Sequence, residues 1–218
     1  MKTFIIKSND FLNQDILAFY HSDYYGGGRW KTPGTIENAI CMLKNDITPY
    51  SNEIITGAVT EIVRILYGDL PLVAQQIGVT NLTVCIVPRA KVNYRMDQLM
   101  FKSVVRHIVN KMDYLADGIN FIQRIKDTKT THLSRGFSGG GDGSMPYPGI
   151  TKDTCSMSRE IKGRNILLID DLYTKTVGID EDAIQALLDC GANSVFFYSI
   201  GHTRLGSPEP FTDSDLPF

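Results

Sequence analysis

The chain has 218 residues, 43% of them hydrophobic and 21% charged, with a formal net charge of −2. That length and balance suit a folded domain with a full α/β core, and they exclude a disordered segment. A near-neutral chain has no pervasive attraction for nucleic acid or an anionic membrane, although it leaves room for a local basic patch.

Cys41, Cys85, Cys155 and Cys190 are widely spaced with no C-x-x-C pair, which argues for reduced thiols and against a zinc site. His21, His107, His132 and His202 have no metal-ligand spacing either, and His107 is expected to be partly buried. Phe4-Ile5-Ile6 is too short for a signal peptide, and no apolar run approaches a membrane span. A cytoplasmic protein without membrane contact is expected.

Residues 1–80 read as mainly helical, an N-terminal hood. Within them, Tyr24, Tyr25, Arg29 and Trp30 flank Gly26–Gly28 in a flexible loop that has the parts of a stacking platform for a base. Ser51 or Asn52 caps a helix whose apolar stripe runs through Ile55, Val59, Ile62 and Leu66. Asp69-Leu70-Pro71 predicts the start of a further short helix, ended by Gly78.

The pattern changes at residue 82. Leu82–Val87 is a short β-branched run stopped by Pro88, as in a buried strand. A helix from about Asp97 to Met112 and a strand over Phe121–Ile125 follow. Residues 126–160 form a long polar, Gly-rich stretch with the length of a lid or binding loop. Then come the strand Ile166–Ile169, an amphipathic helix closed by Gly191, and the strand Val195–Ile200. Strand, helix and strand in that span predict a right-handed βαβ unit and an α/β fold, its sheet mostly parallel and flanked by helices. The core spans 81–204, with an extended tail over 205–218.

The run I-L-L-I-D-D-L-Y-T-K-T-V-G, Ile166–Gly178, carries the most chemistry. In parallel α/β sheets ligands bind outside the carboxyl ends of the strands, where Asp170 and Asp171 fall. Thr174–Gly178 opens the next helix, whose unpaired N–H groups favour a phosphate. A receiver domain carries such acids on its first strand. A Walker-type ATPase needs an upstream Gly-Lys phosphate loop, and a haloacid-dehalogenase-type phosphatase needs D-x-D.

This stretch resembles the signature of type I phosphoribosyltransferases, most closely the ComF-like and amidophosphoribosyltransferase-like group. Val87-Pro88-Arg89-Ala90-Lys91 and Phe121–Thr128 are similar to that family's pyrophosphate loop and to the strand leading into its mobile loop. The resemblance implies an enzyme acting on 5-phosphoribosyl-1-pyrophosphate (PRPP), in nucleotide metabolism or nearby. It also implies Mg²⁺ held through the ligand's pyrophosphate and hydroxyls, with no protein metal site. Asp170 and Asp171 would then be catalytic, accepting hydrogen bonds from the ribose hydroxyls. Tyr173, Thr174, Lys175, Thr176, Val177 and Gly178 would wrap the 5′-phosphate, while Arg89 and Lys91 would meet the pyrophosphate. Lys126, Lys129, Arg135 and Lys152 would belong to a closing loop. The partner expected is a small ribose phosphate, with a homodimer left open and nucleic acid disfavoured by charge.

The turn departs from the family's T-T-G-x-T. Thr176 stands where glycine is usual, and Gly178 where a hydroxyl is usual. Either Gly178 serves the turn in a shifted register, or affinity for PRPP has fallen. The second case implies a catalytically degenerate module that binds a nucleotide or ribose phosphate in a regulatory or docking role.

Overall fold

The computed structural model describes residues 1–46, 49–128 and 149–206. In chain order the elements are β1 (Lys2–Ile6), β2 (Ile16–Tyr25), α1 (Ile36–Lys44), α2 (Asn52–Ile77), β3 (Leu82–Ile86) and α3 (Met100–Val109). They continue with β4 (Leu115–Asp117), β5 (Ile122–Arg124), β6 (Cys155–Met157), β7 (Asn165–Tyr173), α4 (Ile179–Asp189) and β8 (Ser194–Arg204).

Six strands form one sheet in the order β1-β2-β8-β7-β3-β4, and β5 and β6 pair separately. Every neighbour in the large sheet is parallel except β1 on β2. The central strand shows how sequence dictates the layers. Side chains alternate across a strand, so Leu167 and Ile169 of β7 join Ile62, Leu66 and Val105 in the core beneath α1–α3. Ile166 and Leu168 instead join Ala183, Ile184 and Leu187 of α4 on the opposite face. A strand buried on both faces must be apolar there, as this one is from Ile166 to Ile169. The α/β layering and mostly parallel sheet therefore agree with the sequence pattern.

Three local expectations need correction. Residues 2–6 and 16–25 are strands, not part of a helical layer, and β2 lies beside β8 in the main sheet. Its alternation is hidden because Ala18, Phe19 and Tyr20 are all buried. α2 is one helix through Pro71, not two. Proline removes a hydrogen bond to the carbonyl four residues earlier, but Pro71 and Tyr67 are both on the exposed side. Leu66, Leu70 and Val73 meanwhile continue the buried stripe without interruption. His107 is exposed. Among the described residues, no helix is long and apolar enough to cross a membrane. Gly139–Gly143, Lys129, Arg135, His132 and the tail beyond residue 206 lie outside the described residues.

Candidate functional site

β7 runs on to Tyr173, so the two acids sit within its last turns of pleat and diverge to opposite faces. Asp171 turns towards α1, where its Oδ1 lies 2.9 Å from Lys44 Nζ. Asp170 turns towards α4, close enough to Asp180 for each carboxyl to perturb the other. Asp170 Oδ1 also accepts the Asp171 backbone N–H at 2.7 Å.

Both acids border a cleft of about 290 Å³ at the carboxyl ends of β3 and β7. Its walls carry five cationic side chains, Lys44, Arg89, Lys91, Lys102 and Arg124, against those two carboxylates. A chain of net charge −2 thus concentrates positive charge at one place. That is the local patch compatible with the composition, and it suits a small polyanion.

The cations are not equivalent. Arg89 is committed to the protein, its Nη1 donating to the carbonyls of Lys44 at 3.1 Å and Gln98 at 2.6 Å. Its Nη2 pairs with Asp46, and its guanidinium stacks on Tyr94 at 4.2 Å. Arg124 behaves differently. Its Nε donates to the Arg89 carbonyl at 3.1 Å and its Nη1 to the Gly149 carbonyl at 2.9 Å. Its Nη2 is buried with no hydrogen-bond partner among the described residues, in a residue only 8% exposed. A buried guanidinium N–H with no acceptor is costly, and an oxyanion in the cleft would supply one. Burial, followed by Arg106, lowers the pKa of Lys102.

The carboxyl groups are perturbed as well. Burial first and Asp171 second push Asp170 up to about 7, against the opposing pull of Lys44. Burial and Asp170 raise Asp180 well above the usual carboxylate range. Two neighbouring carboxyl groups cannot both ionise cheaply, which favours keeping a proton on the pair. Such shifts in a cleft mark a functional-site candidate.

The turn after the acids is organised around glycine. Gly178 has φ of 74°, in the left-handed region, and precedes α4 as its cap. Thr176 is not in that region. Gly178, not Thr176, takes the conformation that L-residues avoid. The α4 cap makes no side-chain hydrogen bond to the first turn, so no capping side chain competes for its N–H groups.

Yet the surroundings of this turn are unusual for a phosphate. Asp180, Glu181 and Asp182 occupy the first turn. Glu181 accepts from Tyr173 Oη at 2.8 Å and Asp182 from the Ile150 N–H at 2.6 Å, whereas Asp180 Oδ1 is buried with no hydrogen-bond partner among the described residues. Tyr173 is buried among Phe4, Phe197 and His202, which leaves only its main chain for a ligand. The hydroxyl of Thr174 is 2.7 Å from that of Thr203, and the Val177 N–H donates to the Thr174 carbonyl at 2.9 Å. Phe11, from the β1–β2 connection, sits against Gly178.

Of the residues singled out from the sequence, Asp170, Asp171, Arg89 and Lys91 line one cleft, whereas Tyr173–Gly178 lie outside its walls. Sequence reasoning missed Lys44, Lys102, Arg124 and Asp180. Lys44 and Lys102 belong to helices with no motif around them. Arg124 was inside a recognised strand, and a lone arginine between apolar neighbours Ile122 and Ile125 was the available signal. The Tyr24–Trp30 loop is pinned, because Glu37 accepts from the Tyr25 N–H at 2.9 Å and from Arg29 Nε at 3.0 Å. Trp30 takes no part in the cleft walls. Compared with known proteins, the chain matches no family model and no curated relative.

Proposed function

We propose that the chain is a PRPP-dependent phosphoribosyltransferase, joining an acceptor to ribose C1 with release of pyrophosphate. One observation carries this reading: a pair of adjacent acids lines the same cleft as a buried guanidinium whose Nη2 has no acceptor among the described residues. Hydroxyl donors for the acids and oxyanion acceptors for the cations are what PRPP combines in one molecule. The mostly parallel sheet, with β5 just before the long polar stretch and its partner β6 near that stretch's end, is in keeping with the family resemblance.

In the reaction, the bond from C1 to the pyrophosphate oxygen breaks, and its electron pair leaves with pyrophosphate. The acceptor bonds to C1 and gives up its proton. Asp170 and Asp171 hold the ribose hydroxyls and offset positive charge developing on the ring, while Arg124, Lys91 and Lys102 take the growing negative charge of the leaving group. Magnesium would enter with the ligand, held through its pyrophosphate and hydroxyls. Among the described residues no group of three acidic, histidine or cysteine side chains converges on a metal position, and no side chain is assigned to the ion. When bound, it neutralises the leaving pyrophosphate.

A second reading is favoured by the three acids in the first turn of α4 and by Phe11 over Gly178. On that reading the chain binds a ribose phosphate or nucleotide without turning it over, in a regulatory or docking role. Calorimetry with PRPP and Mg²⁺ separates the possibilities. Binding that is lost in the Asp170→Asn/Asp171→Asn double variant supports the transferase site, and binding indifferent to that change overturns it. Binding without pyrophosphate release across nucleobases, ammonia and glutamine selects the second reading.

A further inference from the structure

The carboxyl end of α1 is built to present one ammonium group. The helix stops at Asn45, whose φ of 47° is left-handed, and the carbonyls left open there are taken up from the segment after β3. Arg89 donates to the Lys44 carbonyl. Arg95 and Gln98 donate to the Asn45 carbonyl at 3.2 and 3.3 Å. The Asn45 side chain in turn donates to Asp97 at 2.7 Å and accepts the Tyr50 N–H at 2.9 Å. This clamp spans neighbouring elements and fixes the last residue of α1, Lys44, whose Nζ is 2.9 Å from Asp171 Oδ1. The two side chains are 24% and 19% exposed, so the pair is formed largely out of water.

We propose that Lys44 is a positioning residue for the acid pair: it fixes the Asp171 carboxylate and offsets its negative charge, letting a polyanionic ligand approach. The identity of that ligand rests on the transferase reading above, whereas the ion pair does not. A carboxylate such as Asp171 beside a phosphate-bearing ligand would repel it in a partly dry cleft, where charges interact several times more strongly than in bulk water. A cation must stand close by. Lys44 does so from the protein itself, and Arg89, the nearer alternative in sequence, is occupied with Asp46 and two carbonyls. The charged and titratable groups facing the pair are Asp170 on β7, Tyr24 on β2 and Arg89 beyond β3. Burial opposes the charge on Lys44, but Asp171 and then Asp170 outweigh it, and its pKa is raised.

Two measurements test the proposal. In calorimetry with PRPP and Mg²⁺, Lys44→Met should weaken binding by about 30-fold, steepen the dependence on Mg²⁺, and be largely restored by Lys44→Arg. Wild-type affinity in Lys44→Met, alongside an impaired Asp171→Asn, overturns it. Lys44→Gln is the second variant should Lys44→Met fail to fold. In the ligand-free chain, nitrogen-15 NMR titration of the Lys44 ammonium should show its pKa falling in Asp171→Asn, and an unmoved titration also overturns the proposal. If the unmodified chain does not bind PRPP, the transferase reading fails, and the ammonium titration still decides the role of Lys44.

Discussion

Arg89 lies in the segment that resembles a pyrophosphate loop, yet its guanidinium is spent on the fold, and this difference is measurable. Replacing it by methionine keeps much of the side-chain volume while removing two hydrogen bonds to carbonyls and the ion pair with Asp46. Breaking a buried pair by deleting one partner costs about 3–5 kcal/mol. The Arg89 side chain is 25% exposed, which places the expectation at the low end, about 3 kcal/mol. For a domain of this size each kcal/mol moves the melting temperature by roughly 2–4 °C, so Arg89→Met should lower it by about 6–12 °C. Arg89→Lys should recover little, because an ammonium lacks the planar fork that reaches both carbonyls and Asp46 together. Thermal unfolding followed by circular dichroism, checked by urea titration, reads the loss directly. A loss of stability below about 1 kcal/mol, comparable to an ordinary surface change, together with abolished PRPP binding, would show that Arg89 serves the ligand and would refute its assignment as a clamp.

Other consequences are open to the same methods. The unfolded chain releases the Asp170 proton near pH 4, as a free aspartate does, and the folded chain near 7. The folded state therefore binds the extra proton over that interval. The Asp170 contribution to stability should fall as pH rises through it, by up to about 1.4 kcal/mol per pH unit, and level off above 7. Asp170→Asn should flatten that slope, and an unchanged slope counts against a proton kept on the pair. His202, held down to about 4 by burial and then by Arg204, works in the opposite direction. Its contribution is intact above pH 6.5 and is lost as pH drops towards 4. His202→Phe, which keeps a ring among Phe4, Tyr20 and Tyr173, should remove that acid-side loss in denaturation curves. Gly178→Ala should cost about 1–2 kcal/mol for its left-handed φ alone. It should also bring the new methyl within 2.7 Å of the Phe11 ring. Adding Phe11→Ala should relieve the second part and leave the first, whereas full recovery in the double variant would mean that the backbone conformation is not strained.

What was legible from sequence follows from how local each signal is. The β7 run, its two acids and the α4 stripe could be read because one short segment contains the apolar period, the change to carboxylates and the turn. β2 could not be read that way. Its partners Phe197, Tyr198 and Ser199 lie far along the chain, and Ile16-Leu17-Ala18-Phe19 offers no clean alternation by which to recognise it. The break expected at Pro71 was a sound local inference that lost to tertiary burial of Leu66, Leu70 and Val73. At the site, the acid pair carried its meaning in its spacing. Lys44 had none, because an ammonium at the end of α1 acquires its role only when the clamp from residues 89–98 carries it to Asp171. Arg89 is the converse, a residue whose motif suggested a ligand contact and whose neighbours consume it.

The placement of β2 beside β8 also governs how the chain reaches its native state. During synthesis, residues 16–25 emerge early but can pair only with β1 until residues 194–204 are available. Meanwhile an open strand edge bearing Ala18, Phe19 and Tyr20 remains uncovered, which is the kind of surface that captures other chains. Contacts between such distant segments close slowly, since a long loop must be ordered before they contribute. The sheet is therefore expected to grow outward from β3, β7 and β8 and to admit β2 last, so that chains interrupted before residue 194 carry an unpaired edge and depend on holding factors to stay in solution.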